Sequence, residues 1–169
     1  IYNVERLLKK FATAAALVQA GHTVYATARR TETLADLVAM GCHPLELDVT
    51  SEDSMIAAVR AVDAEHGKVG TLINNAGYGE YGPIEEADLD RVRTMFETNV
   101  FGLARLTQLV LPAMRRSRSG RIVNIGSMGG RITSPVGGFY HSTTYAVDAI
   151  RDAPRVQVRP LGAHALRMV

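Results

Sequence analysis

From residue 22 onward, short β-branched runs alternate with stretches of helical period, and that alternation constrains the fold more than any other feature. Strands are expected at residues 22–27, 44–48, 69–74 and 121–125, with a last one over 164–169. Helices are expected between them at 32–40, 51–65 and 88–114, and from Tyr140 onward. Gly41 ends the first of these, and Ser51 caps the second with Asp53 in its first turn. Arg115, Arg116 and Arg118 sit at the negative end of the third. Strands spaced by helices in this way run parallel and are covered on both faces. The expected architecture is α/β, a doubly wound parallel sheet, in one domain over residues 1–169. The opening segment is an amphipathic helix, with Val4, Leu7, Leu8, Phe11, Ala14, Ala15 and Val18 on one face, Asn3 as N-cap and Gly21 past its end. No strand precedes it, and the last strand is cut short, so the sheet is expected to be incomplete at both ends.

Composition narrows the classes. Apolar residues make up 47% and charged residues 21%, the proportions of a soluble globule with room for one domain. A net charge of +2 gives no strong pull toward nucleic acid, and the basic run 115–121 reads as a solvated helix end. One cysteine, Cys42, and scattered histidines support neither a disulfide scaffold nor a metal site. No apolar run is long enough to cross a bilayer and no signal-peptide pattern is present, so a cytoplasmic protein is expected.

In doubly wound sheets, ligands bind beyond the carboxyl ends of the strands. Those ends carry Ala28, Arg29 and Arg30, then Asp48 and Val49, then Asn74, Asn75, Ala76 and Gly77, then Gly126 and Ser127. Tyr140 opens the next helix, and Asn99 is a polar residue amid apolar neighbours. Each has a plainer reading. Arg29 and Arg30 suit a solvated loop, Asn75 and Asn99 a structural amide, Ser127 a turn, and Tyr140 a core-edge aromatic.

What joins them is a set of motifs. HTVYATARR, LDVT, LINNAG, ETNVFG, GRIVNIGSMGG and YHSTTYAV follow one another in order, with Ser127 thirteen residues before Tyr140. In these stretches the chain resembles the short-chain dehydrogenases/reductases, from about Ala14 to Val169. The resemblance implies a Rossmann-like fold and hydride transfer between a nicotinamide dinucleotide and a carbonyl or alcohol. It makes Tyr140 the general acid/base, Ser127 a hydrogen-bond donor to the same substrate oxygen, and Asn99 the holder of a relay water. It puts Asp48 and Val49 at the adenine, and Asn74, Asn75, Ala76 and Gly77 along the adenosine ribose. Ala28 stands where an acid would bind the ribose 2′-OH of NAD, while Arg29 suits the 2′-phosphate of NADP, so NADP(H) is expected ahead of NAD(H). Tyr78, Tyr81, Met128 and Phe139 suggest an apolar pocket wall and a hydrophobic substrate. The apolar residues Val92, Met95, Phe96, Leu103 and Leu106, with the Tyr140 helix, resemble the family's oligomer-forming pair, implying a homodimer or homotetramer.

Three departures bear on activity. Position 144, one turn after Tyr140, is Thr where the family has a lysine that binds the nicotinamide ribose and lowers the tyrosine pKa. An ammonium about 4 Å from a phenolate is worth about 4 kcal/mol at an effective dielectric near 20, roughly three pKa units. Thr144 stands at that cofactor position without the charge. The Gly-rich turn that brings a helix N-terminus to the pyrophosphate is absent, and with it a strand that would lie between those at 22–27 and 69–74. Pro154 falls within the Tyr140 helix, at a cost of about 3 kcal/mol unless the helix ends or bends there. One cause would explain all three: a sequence that is an incomplete or imperfect copy of an ordinary member of that family. The alternative is a catalytically impaired relative or fragment, a weak nucleotide binder or a partner subunit.

Overall fold

A computed structural model of the chain describes the backbone of residues 4–158 and 163–168 and the side chains of residues 11–150. The chain divides into two compact units, Ile1–Asp48 and Val49–Val169.

The first unit opens with helix α1, Val4–Gln19. Gly21 ends it by adopting a left-handed φ of +82°. This lets the Gly21 and His22 N–H groups turn back onto the Val18 and Leu17 carbonyls, at 2.9 and 3.0 Å. His22 is thereby consumed in the helix exit, and strand β1 runs over Tyr25–Ala28 rather than from residue 22. A short 3-10 turn, Thr31–Leu34, leads into α2, Ala35–Ala39, and then β2, His43–Glu46. The two strands are parallel, with Tyr25 opposite His43 and Ala28 opposite Glu46. Pro44 lacks a donor but is tolerated, since β1 is the only strand paired with β2 among the described residues. Ala14, Ala26, Leu34, Leu37 and Cys42 form the core, with Phe11 and Val18 of α1 packed on it. Burial there pushes the Cys42 thiol up. The expected N-cap Asn3 and the side chains of Val4, Leu7 and Leu8 lie outside the described residues.

The second unit begins with α3, Glu52–His66, whose cap is the expected one: Ser51 Oγ accepts the Ser54 N–H at 3.3 Å. At the other end the Val69 N–H donates to the Asp63 carboxylate at 3.1 Å, so residue 69 belongs to the helix exit, while the Gly70 carbonyl already accepts the Arg121 N–H at 3.0 Å. Strand β3 is Thr71–Asn74. The helix expected over 88–114 is present as three consecutive pieces. Asp88 caps α4, Leu89–Phe96; a π-helical segment, Glu97–Phe101, follows; and α5, Gly102–Arg116, completes the rod with Pro112 inside it. Strand β4 is Gly120–Ile125, α6 is Gly138–Val158 and β5 is Ala163–Met168. The three strands form a parallel sheet in the order β3–β4–β5, with Thr71 opposite Arg121 and Gly120 opposite Ala163. Two apolar clusters fill this unit: Val110, Met114 and Ile122 under the sheet, and Val100, Leu103 and Val147 between the helices. Across the surface the Arg105 guanidinium grips the Glu52 carboxylate at 2.9 and 3.0 Å through Nε, and holds its pKa below the ordinary carboxylate value.

The strands thus form two separate parallel sheets, and among the described residues no strand pairs with the second edge of either β1 or β3. Pro154 lies within α6, which continues to Val158. Of the apolar stripe expected at an oligomer face, Met95, Leu103 and Leu106 are turned inward, at 0%, 6% and 5% exposed, while Val92 and Phe96 are half-buried. A helix stripe of that width serves the chain's own core as readily as a partner's, and here Leu103 packs with Val147 of α6.

Gly102 is where α5 meets the backbone of Val49. A methyl group there would collide with the Val49 carbonyl oxygen and stand 2.9 Å from its Cβ. Helix propensity alone favours alanine by about 0.8–1.0 kcal/mol, whereas overpacking a filled site costs about 1–3 kcal/mol. Overpacking wins because the obstacle is backbone. Gly102→Ala is expected to lower stability, measured as a fall in the urea midpoint at unchanged slope.

Candidate functional site

The residues brought together lie at the carboxyl ends of β3 and β4, both in the second unit. Asn74, the last residue of β3, is 7% exposed, and its amide donates to Asn124 Oδ1 at 2.9 Å. Asn124 is its register partner on β4, so the strand ends are joined by side chains as well as by the ladder. Thr107 of α5 is a further partner of the Asn74 amide, at 3.5 Å. Asn75 and Gly77 beyond it are half-buried, and Ala76 is exposed.

Asn99 sits in the π-helical segment, a local widening that recurs at functional sites. Its carboxamide is 7% exposed and clasps the backbone of Tyr78. The Tyr78 N–H donates to Oδ1 at 3.0 Å, and Nδ2 donates to the Tyr78 carbonyl at 2.8 Å. The same Nδ2 donates to Thr143 Oγ1 at 3.1 Å. Thr143, fully buried, donates in turn to the Tyr140 carbonyl at 2.7 Å. One polar chain therefore runs from the loop after β3, through the middle of the long helical rod, to the first turn of α6.

Tyr140 is half-buried. Its ring packs against Gly79 and lies 5.4 Å, centre to centre, from the ring of Tyr81. Burial, and secondarily the Tyr140 phenol, push the Tyr81 pKa up. Ser127 follows β4 directly and caps a short turn, Met128–Gly130, in which Ser127 Oγ accepts the Gly129 N–H at 3.1 Å. That turn is fastened to α6 at His141, whose Nδ1 is 3.0 Å from the Gly129 carbonyl. Thr144 Oγ1 donates to the His141 carbonyl at 2.8 Å and brings no charge. Lys68 is occupied elsewhere, on Ser117 Oγ at 2.8 Å and the Ser119 carbonyl at 3.0 Å. Of the expected apolar wall, Tyr81 and Met128 are largely exposed while Tyr78 and Phe139 are half-buried.

In the first unit, Arg29 and Arg30 directly follow β1, are exposed, and form no salt bridge among the described residues. Asp48, just past β2, is half-buried, and Val49 opens the second unit. Sequence reasoning missed Thr143 and His141. Thr143 had a detectable signal, since it stands three residues after Tyr140 on the same helix face. His141 had none, because its partners are set by the path of the loop.

Comparison with known proteins is consistent in all directions. The sequence profile described as short chain dehydrogenase matches residues 11–164. A 3-ketodihydrosphingosine reductase of Bacteroides thetaiotaomicron is 38% identical over 148 residues, covering 88% of this chain and 54% of that protein. A short-chain dehydrogenase from Streptomyces avermitilis superposes with a TM-score of 0.88 at 40% identity, over 93% of this chain and 60% of that one. A metagenomic short-chain oxidoreductase in complex with NADP gives 0.84 at 25% identity, over 91% and 73%. The chain spans about half the length of the curated relatives it matches.

Replacing Asn99 by leucine, of similar size, strips partners from the Tyr78 backbone and from Thr143. Each buried polar group left bare costs about 1–3 kcal/mol, so Asn99→Leu is expected to lose at least that much stability, read as a lower urea midpoint. Tyr81 is expected to ionise above the ordinary tyrosine value of 10.0. A phenol so shifted contributes stability that is complete below its unfolded pKa and lost as pH rises through the folded one. In an ultraviolet titration, Tyr81→Phe should remove amplitude from the alkaline end of the curve.

Proposed function

The chain belongs to the short-chain dehydrogenase/reductase family, and we propose from that premise that it is an oxidoreductase moving a hydride between NADP(H) and a hydrophobic carbonyl or alcohol. The observation that carries the reading is the fastening of the Ser127 turn to α6 at the residue next to Tyr140. The two hydroxyl-bearing residues of the family motif thereby belong to one packed assembly. In this reading Tyr140 donates the proton to the carbonyl oxygen and Ser127 hydrogen-bonds the same atom, so proton transfer and charge stabilisation converge. Asn99 takes part in the proton relay through its acceptor oxygen, since both of its side-chain N–H groups are engaged by Tyr78 and Thr143. When bound, the dinucleotide supplies or accepts the hydride.

The fit of the chain to that cofactor rests on charge. Arg29 and Arg30 present exposed guanidinium groups suited to a phosphate monoester, which favours NADP(H) over NAD(H). Asp48 and Val49 would meet the adenine; Asn75, Ala76 and Gly77 would line the ribose; Asn74 would hold the strand end beneath them. Thr144 would offer the nicotinamide ribose a hydroxyl. We read both units as one dinucleotide-binding domain over residues 1–169, because the family profile runs across their boundary. A hydrophobic substrate is supported by the exposed Tyr81 and Met128 and by the ketone reductase among the relatives. Exposed Phe101 and Tyr145 support a homodimer or homotetramer, with the small-molecule substrate as the other partner. No described helix is long and apolar enough to cross a membrane, and a cytoplasmic location without nucleic-acid partners completes the proposal.

Thr144 favours a second reading, an impaired relative that binds nucleotide without efficient turnover, because its hydroxyl is turned onto the helix backbone. Fluorescence of NADPH and NADH on mixing, followed by turnover of a ketone panel, separates the two. The enzyme reading expects tighter NADPH binding, a preference reversed by Arg29→Asp, and turnover reduced about 10²–10⁴-fold in Tyr140→Phe. Thr144→Lys should raise turnover by restoring the missing charge. Binding without turnover in both the natural chain and Thr144→Lys would leave the second reading standing.

A further inference from the structure

His141 is 6% exposed, and both of its ring nitrogens have protein partners. Nδ1 lies 3.0 Å from the Gly129 carbonyl, which only accepts, so Nδ1 carries the proton. Nε2 receives the Ser134 backbone N–H at 3.3 Å, which only donates, so Nε2 carries the lone pair. Ser134 Oγ adds a contact to Nε2 at 3.0 Å. One tautomer of the ring satisfies both backbone partners at once. The loop is shaped to admit the ring. A methyl at Gly129 would stand 2.7 Å from Nδ1, and one at Gly137 would stand 2.5 Å from Cδ2 and Nε2. Both glycines are buried. The imidazole therefore fills the inside of the segment between β4 and α6 and ties down two points of it. The first of these, Gly129, also donates its N–H to Ser127 Oγ.

We propose that His141 is a positioning residue: its Nδ1–H tautomer locks the loop after β4 onto α6 and so sets Ser127 relative to Tyr140. The inference rests on the reading of Ser127 and Tyr140 as the reacting pair, and the role is indirect, since His141 acts through Ser127. A misplacement of about 1 Å at a reacting group can lower a rate about 100-fold, the size of effect expected when the ring's hydrogen bonds are removed.

The test compares His141→Phe, which keeps the ring's bulk without its hydrogen bonds, with His141→Asn, which keeps a donor for the Gly129 carbonyl. Ser134→Ala at an exposed position removes only one contact and guards against a variant that fails to fold. Expected are a kcat about 100-fold lower in His141→Phe, with KM for NADPH moved far less, and recovery of most of kcat in His141→Asn. The Gly129 and Gly130 amides, which donate to Ser127 Oγ and the Ser127 carbonyl, should lose hydrogen-exchange protection in His141→Phe and keep it in Tyr140→Phe. Ring nitrogen NMR of the natural chain should show protonated Nδ1 and bare Nε2. Unchanged Gly129 protection, a folded His141→Phe with natural kcat, or a protonated Nε2 would overturn the proposal. If the natural chain turns over no ketone, the functional reading fails by itself, while exchange and NMR still decide whether His141 holds the Ser127 turn.

Discussion

The buried carboxamide of Asn99 is the joint on which the second unit's loops depend. A polar group removed from water must find protein partners or cost free energy. Asn99 meets that demand by bonding both backbone groups of Tyr78 and the hydroxyl of Thr143. Three segments far apart in sequence are therefore ordered by one side chain. The π-helical widening at Glu97–Phe101 belongs to the same arrangement, since it sets Asn99 within the rod without breaking it. Thr143 passes the constraint to the first turn of α6 through the Tyr140 carbonyl.

A second group of buried polar contacts lies at the strand ends themselves. Asn74 and Asn124 face each other across β3 and β4 with an amide hydrogen bond, and Thr107 of α5 closes on the same amide. Apolar packing dominates farther down, around Val110, Met114 and Ile122. The unit is thus oily toward one end of its sheet and polar toward the other, and the polar end is where parallel sheets leave room for ligands. Arg29 and Arg30, with no ion-pair partner among the described residues, leave the first unit with positive charge directly after its own strand end.

Much of this was legible in advance. The parallel strands follow from β-branched runs spaced by helices. The Ser51 and Asp88 caps follow from short polar side chains before helical runs. Strand starts were misplaced for a local reason. At 22 and at 69 the backbone N–H is already committed to closing the preceding helix, through Leu17 and Asp63 respectively, and no β-propensity records that commitment. The apolar stripe of Met95, Leu103 and Leu106 was legible as a stripe but not as an inward one, because periodicity identifies a face without naming what covers it.

Sequence alone determined the α/β architecture, the order of its motifs and the chemical identity of the groups at the strand ends, including the uncharged Thr144. Those properties are local, carried by residue type and by spacing of a few positions. Tertiary structure alone decided which of those groups are bound to one another: Asn99 to Tyr78, Asn74 to Asn124, and His141 to Gly129 and Ser134. The reason is physical. A hydrogen bond needs two groups within about 3 Å in a fixed orientation. For residues twenty or fifty positions apart, only the packed path of the chain supplies that.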